Sequence, residues 1–240
     1  TQRIFAFEPD MLNLQVPSRL EKTEFVFAIQ HRFYGEITED PLNTFFGLDA
    51  GANVGLGVRY AVLPHVEVHA SYTRFQKEYV VGARYAYHVS QIFTTMQIDI
   101  HYFDHESHIS DERARNFFYC LALQSEPSAN IIIPVVNIGY DGYNERFGLG
   151  FGMGFGFDLE IGPIERVHII GEYYPVISRD EEINGPENYF AAGLKFETYG
   201  HHFILLIGNG SQIGTRRLML GAESNDDFYF GFNIHRILDL

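Results

Sequence analysis

Tryptophan is missing from the 240 residues, cysteine occurs once and positive charge is scarce. The lone thiol, Cys120, excludes an internal disulfide and any cysteine-rich metal site. Lys and Arg number 17 against 31 Asp and Glu, a formal net charge of -14. That balance argues against a nucleic-acid binder, which needs a basic face for the phosphates. It also leaves no polybasic patch for an anionic membrane surface. No apolar run approaches the ~18 residues of a membrane-crossing helix. The most apolar stretch, Ile131 to Val136, is short and carries Pro134. The opening TQRIFAFEPD has neither a basic nor an apolar leader-like region, as expected of a mature chain or of one made without a signal peptide. Disorder is excluded too, because charged residues are only 20% and apolar residues reach 46%. What the chain does have is aromatics, 22 Phe and 15 Tyr.

The informative pattern is alternation with period two, repeated along most of the chain. Between Ala52 and Val62, the set Val54, Leu56, Val58 and Tyr60 opposes Asn53, Gly55, Gly57 and Arg59. Between Tyr79 and His88, Tyr79, Val81, Ala83 and Tyr85 oppose Val80, Gly82, Arg84 and Ala86. Met96, Ile98 and Ile100 oppose Gln97, Asp99 and His101, and Phe230, Phe232 and Ile234 oppose Gly231, Asn233 and His235. No segment holds the three- and four-residue spacing of an amphipathic helix for long.

Such runs predict about twelve strands, near 22–35, 51–63, 65–76, 77–88, 90–103, 113–124, 129–141, 146–158, 165–177, 187–199, 201–209 and 226–237. Short connections fall at 62–66, 87–91, 124–129, 159–165 and 197–201. Longer polar ones fall between them at 36–50, 105–114, 140–147, 178–188 and 209–227, and only 74–78 is short where a long one is due. Short turns at one end and long loops at the other suit an all-β, closed antiparallel up-and-down transmembrane barrel of the bacterial outer membrane. Its termini are then expected in the periplasm, with residues 21–240 as the barrel and 1–20 as a periplasmic or lumen-plugging segment.

A membrane barrel turns its apolar face to lipid and its polar face to the lumen, the reverse of a soluble one. The polar face here is rich in Gly, Ala, Ser and Thr with isolated charges, not the Lys/Glu-dense surface of a soluble strand protein. Phe33, Tyr60, Tyr72, Tyr87, Tyr102 and Tyr173 lie near strand ends, where an interfacial girdle belongs. In GLGFGMGFGF, Gly148, Gly150, Gly152, Gly154 and Gly156 form a stripe on the lumen face. The commoner reason for such a stripe is curvature of the wall. The sharper one is that something packs there, with segment 1–20 folded inward as the candidate.

KTEFVFAIQHRFYGEI (22–37) and FFGLDAGANVGLGVRYAVLPHVEVHASYTRFQKEYVVGARY (45–85) resemble a family of small bacterial outer-membrane β-barrels of unknown function. EYYP (172–175), GHHFILLIGN (200–209) and YFGFNIHRI (229–237) continue that resemblance in order, while 104–113 and 216–225 carry no matching motif. The resemblance implies a membrane barrel and its location, and it brings no activity, ligand or catalytic residue.

A lipid-facing Ser/His pair finds His31 and His202 able to face outward but no partner serine. Asp104, His105 and Asp111 are the rim residues that a protease-like site would use, and a polar loop is the simpler reading. His101, His105 and His108 with Asp104, Glu106 and Asp111 lack any ligand spacing fixed by a helix or by paired cysteines, so no metal site is expected. The glycine runs precede no helix and are not phosphate loops, and Cys120 reads as a small inward residue. No enzyme activity and no cofactor are expected.

By alternation the lumen list is Glu24, Gln30, Arg32, Arg59, Glu67, His69, Arg84, Asp99, His101, Arg166, His168, Glu172, Lys195, Glu197, Asn233 and His235, joined by the large Tyr174, Tyr189 and Tyr229. In an open barrel such residues tune ion or solute selectivity, and in a blocked one they bridge the lumen. The favoured expectation is a narrow channel for small solutes or ions. The alternative is a non-conducting scaffold or anchor in an outer-membrane assembly. Partners expected are outer-membrane lipid and, for the scaffold, other outer-membrane or periplasmic proteins.

Overall fold

The computed structural model describes residues 11–17, 20–104, 113–125, 132–177, 187–222 and 224–239. Twelve strands run in chain order: β1 Glu24–Glu36, β2 Ala52–Leu63, β3 Val66–Thr73, β4 Glu78–Val89, β5 Ile92–Asp104 and β6 Arg113–Ser125, then β7 Ile132–Asp141, β8 Arg146–Ile161, β9 Ile164–Tyr174, β10 Tyr189–Thr198, β11 His201–Gly208 and β12 Tyr229–Asp239. Each pairs antiparallel with its sequence neighbour, and β1 closes the barrel on β12 from Glu24↔Asp239 to Arg32↔Gly231. Closure leaves no edge strand unpaired, which is what lets strands cross a bilayer.

The period-two pattern becomes two walls. Val81, Ile98, Ile100, Phe117, Ile169 and Leu205 point out of the barrel and are exposed, Val81 at 61%. Their neighbours Arg84, Asp99, His101, His168 and Asn233 are buried inside. Large apolar groups outside and charges inside is the inversion of a soluble protein, and only an apolar solvent makes it stable. Near the loop end, Tyr72, Tyr79 and Tyr102 of three successive strands stand ring against ring, at 4.9 and 6.5 Å between centroids.

The turn end is tight because the residues there accept left-handed backbone. His65, Ser90, Gly162 and Gly200 all have positive φ, and the connections they make are two residues long. At the loop end, 37–51, 175–188 and 209–228 are long, while 74–77 is a single 3-10 turn at Phe75–Lys77. The connection expected to be long at 140–147 is only 142–145. Asp141 shortens it, its Oδ1 accepting the backbone N–H of Tyr143 at 3.0 Å and of Asn144 at 3.1 Å. The 105–112 loop, with His105, Glu106, His108 and Asp111, lies outside the described residues, as does 126–131.

Two segments enter the barrel. Residues 11–17 come up from the turn end, and Met11, Leu12, Leu14 and Val16 are fully buried. From the loop end, residues 209–222 dip inward through a short helix, α1 Thr215–Met219, whose five residues are all buried. One hydrophobic cluster joins Met11, Leu12, Leu14, Val16, Leu218 and Met219 to inward residues of β6 to β11, including Phe118, Ile133, Val135, Ile170, Ile204 and Leu206. The inner wall is therefore polar over β1 to β5 and substantially apolar opposite.

Candidate functional site in the barrel lumen

The stripe of glycines is a seat. A Cβ added at Gly150 would lie 2.6 Å from a Leu14 methyl carbon, and one at Gly152 would lie 2.8 Å from the Met11 sulfur. At Gly148 it would lie 2.8 Å from Cγ of Met219, and at Gly156 2.9 Å from the His168 ring. Close approach by other groups, more than curvature, accounts for these positions. Gly154 is buried on the same face.

Hydrogen bonding holds the N-terminal segment more specifically. Glu172 of β9 faces inward, and its carboxylate accepts the successive backbone N–H groups of Leu12 at 2.8 Å, Asn13 at 2.8 and 3.0 Å, and Leu14 at 2.9 Å. Successive amides converging on one anion form a nest, and a buried carboxylate requires such donors. The Asn13 amide donates to Glu172 at 3.2 Å and to the Tyr189 hydroxyl at 3.2 Å. Its oxygen accepts from Arg32 at 2.7 Å, and Arg32 also donates to Asn233 Oδ1 at 2.8 Å. Asn233 donates to the Leu12 carbonyl at 2.7 Å. Gln15 and Asn137 exchange two bonds of 2.8 Å, as strand neighbours do. Arg84 reaches the Val16 carbonyl at 2.5 Å.

The α1 segment is held by charge. Arg216 meets Asp141 at 2.8 Å and Glu78 at 3.0 Å, while Arg217 meets Glu78 at 2.5 Å and lies 5.1 Å over the Phe75 ring. Glu78 is also 2.7 Å from His101 Nδ1. The two segments touch where the Thr215 hydroxyl donates to the Asn13 carbonyl at 2.9 Å.

The residues expected in the lumen occupy three zones. Around the two inserted segments stand Arg32, Arg84, His101 and Glu172. On the β2 to β5 wall, Arg59 and Arg84 share Glu67 at 3.4 and 4.0 Å, and His69 bonds Asp99 at 2.8 Å. Nearer the turn end, Glu197 gathers His168 at 2.9 Å, Lys195 at 3.3 Å and His202 at 3.7 Å, with fully buried His235 in register beside His202. Arg166 pairs with Asp158 at the end of β8. Glu24, at the rim, accepts the Glu21 N–H at 2.8 Å. His202 thus faces inward, contrary to the outward option, because Ile204 and Leu206 fix the inner phase of β11. His31 does face outward, stacked on Phe232 at 4.8 Å between centroids.

Sequence reasoning missed Glu78, Asp141, Asn13, Asn137, Arg216 and Arg217. The signal for two of them was IGTRRLML (213–220), an apolar run inside a long polar loop. Among the described residues, no three or more His, Cys, Asp or Glu side chains are grouped to hold a metal ion. Against the β1 to β5 wall a cavity of about 160 Å³ remains.

No curated protein matches the chain in sequence. Among solved structures, LpxR from Salmonella typhimurium is similar at TM-score 0.49 and 10% identity, over 90% of this chain and 100% of that one. OccK11 (OpdR) from Pseudomonas aeruginosa follows at TM-score 0.39 and 10% identity, over 79% of this chain and 58% of that one. CdiB from Acinetobacter baumannii stands at TM-score 0.38 and 9% identity, over 91% of this chain and 60% of that one. The chain therefore spans less than two-thirds of OccK11 and of CdiB, and likeness at these scores assigns no activity. A family model for a membrane-bound β-barrel domain, DUF5777, matches residues 8–119 and 114–238. With nearly its whole length matched, and with a closed twelve-stranded barrel whose apolar wall faces outward, the chain belongs to that membrane-bound β-barrel family.

Proposed function

We propose that the protein is a bacterial outer-membrane barrel closed at rest by its own chain, a non-conducting anchor or scaffold for other envelope proteins. In this reading the two-residue turns and both chain ends lie on the periplasmic side, and the long loops lie outside. The observation that carries it is the seat of residues 12–14, whose three successive amides converge on the buried Glu172 carboxylate. A carboxylate placed to line an open pore would be bathed in water, whereas this one is satisfied by the chain that fills the pore.

A twelve-stranded barrel encloses a width between the side-chain-filled ~8-stranded and the water-filled ~16-stranded cases. Part of that width is filled by the apolar contacts of Met11, Leu12, Leu14 and Met219. The channel reading then requires the inserted segments to move. Planar-bilayer recording tests this. The full chain is expected to give no steady current, and a chain lacking residues 1–17 is expected to conduct. A steady unitary current from the intact chain would overturn the closed-barrel reading. Stoichiometric co-purification of envelope proteins in mild detergent tests the scaffold role, and a chain that purifies alone at every detergent strength would contradict it.

A further inference from the structure

The long connection between β1 and β2 is closely folded on itself. Asn43 and Thr44 donate their backbone N–H groups to the Asp40 carbonyl at 3.0 and 3.1 Å, and Phe46 donates to Pro41 at 2.7 Å. Gly47 donates to Thr44 at 3.0 Å and Leu48 to Phe45 at 3.2 Å. The Asp40 carboxylate accepts the Asn43 amide at 2.6 Å. Phe45 and Phe46 both have left-handed backbone, at φ 48° and 58°. Bulky residues rarely adopt that conformation, and here it presents two consecutive phenyl groups at the surface. Phe45 is 66% exposed, Phe46 48%, and Leu42 of the same turn 86%.

A pair of glycines sets where this turn lies. A Cβ added at Gly35 would lie 2.5 Å from the Gly47 Cα. Gly35 is two residues beyond Phe33, which faces outward and stands 6.1 and 6.4 Å from Phe230 and Phe232 between ring centroids. On a strand that spacing keeps one face, so the turn rests on the outer flank of β1 at the loop end. Leu42, Phe45 and Phe46 thereby extend an apolar wall that already faces lipid. A segment at that boundary must satisfy its own backbone, as this turn does for the five N–H groups named. No Lys or Arg occurs between residues 37 and 51, so attraction to lipid phosphate has no part. Exposed Glu39, Asp40 and Asp49 keep the turn from going deeper than the headgroup level.

We propose that the 40–48 turn is an interfacial anchor. Leu42, Phe45 and Phe46 enter the boundary between headgroups and acyl chains of the leaflet at the loop end, fixing the height of the barrel there. The anchor goes beyond the closed-barrel reading and does not depend on it, since the turn lies outside the lumen.

The chain has no tryptophan, so Phe45→Trp supplies a single reporter in the full chain folded into phosphatidylcholine vesicles. Its emission is expected to shift to the blue of the unfolded chain and to resist acrylamide. Lipid brominated high on the acyl chains should quench it more than lipid brominated near the chain ends. Ile98→Trp, on the outer wall, should show the reverse order and so gives the depth scale. Salt is expected to leave the quenching unchanged, because the contact is apolar. A heat-induced unfolding transition like that of the parent verifies folding, and Leu42→Trp replaces a Phe45→Trp chain that lacks it. Red emission freely quenched by acrylamide would overturn the proposal and place the turn in water, as would bromine quenching lost at high salt. Blue emission indifferent to both bromolipids would overturn it too, with a second copy as the occupant if dilution into excess lipid shifts that emission to the red. Bilayer recordings read the closed state separately, so the two readings can fail independently.

Discussion

Glu172 shows how much one side chain can decide in a closed lumen. Replacing it with alanine would leave the Leu12, Asn13 and Leu14 amides without their acceptor. Each buried donor so orphaned costs ~1–3 kcal/mol, so the inserted conformation should lose several kcal/mol against a withdrawn one. Glu172→Ala is expected to produce intermittent current in bilayers where the parent is silent, and Glu172→Gln, which keeps a carbonyl acceptor, to produce less. Gly152→Val tests the same contact from the packing side, because its side chain would overlap Leu14 and Met11. Overpacking of this kind costs ~1–3 kcal/mol, and the lowered thermal transition of the folded chain would report it. Alternation placed Glu172 in the lumen, but its partner was hidden, since backbone amides leave no mark in a sequence. The glycine stripe was visible as a pattern, and at Gly148, Gly150 and Gly152 the inserted segments explain it.

At the scale of elements, the strands were legible and the inserted pieces were not. A strand with one face in lipid and one in the lumen must alternate, so β2, β4, β5 and β12 could be read within a few residues of their ends. α1 has five residues and is too short to be stable alone; burial and the Glu78 and Asp141 carboxylates hold it in place. Nothing local announces such a helix apart from its apolar residues. Removing its charges should therefore release it. Arg216→Ala withdraws one cation shared by two buried carboxylates, a class of change that costs ~3–5 kcal/mol. Hydrogen exchange should then quicken across 209–222 while the barrel strands stay protected, and unchanged exchange there would show that the ion pairs do not hold the segment. The length of the loop ends was misjudged at 140–147 for a related reason: an aspartate that caps its own turn looks in sequence like any polar loop residue.

At the scale of the molecule, the inversion of apolar and polar faces was legible and the occupancy of the interior was not. Composition and alternation oppose a soluble barrel because the polar face is rich in Gly, Ala, Ser and Thr and lacks a Lys/Glu-dense surface, and the exposed Ile98, Ile100, Phe117 and Ile169 of the other face bear that out. A charge at the centre of the outer wall should be costly. Ile98→Arg is expected to destabilise folding into phospholipid vesicles by ~2–4 kcal/mol, read from a denaturant titration. A polar lumen, by contrast, is compatible with an open pore and with a filled one, and sequence distances cannot tell whether Arg32 meets water or Asn13.

The direct test is thiol labelling of Leu14→Cys in a Cys120→Ala background, in intact membranes, with a water-soluble maleimide. Leu14 is fully buried between the glycine seat and the hydrophobic cluster, so the account predicts no labelling until the protein is unfolded. Tyr199→Cys, at a turn position 92% exposed, should label promptly in permeabilised cells. Labelling of position 14 at the rate of position 199 would contradict the account, because it would place the N-terminal segment in water, outside the lumen.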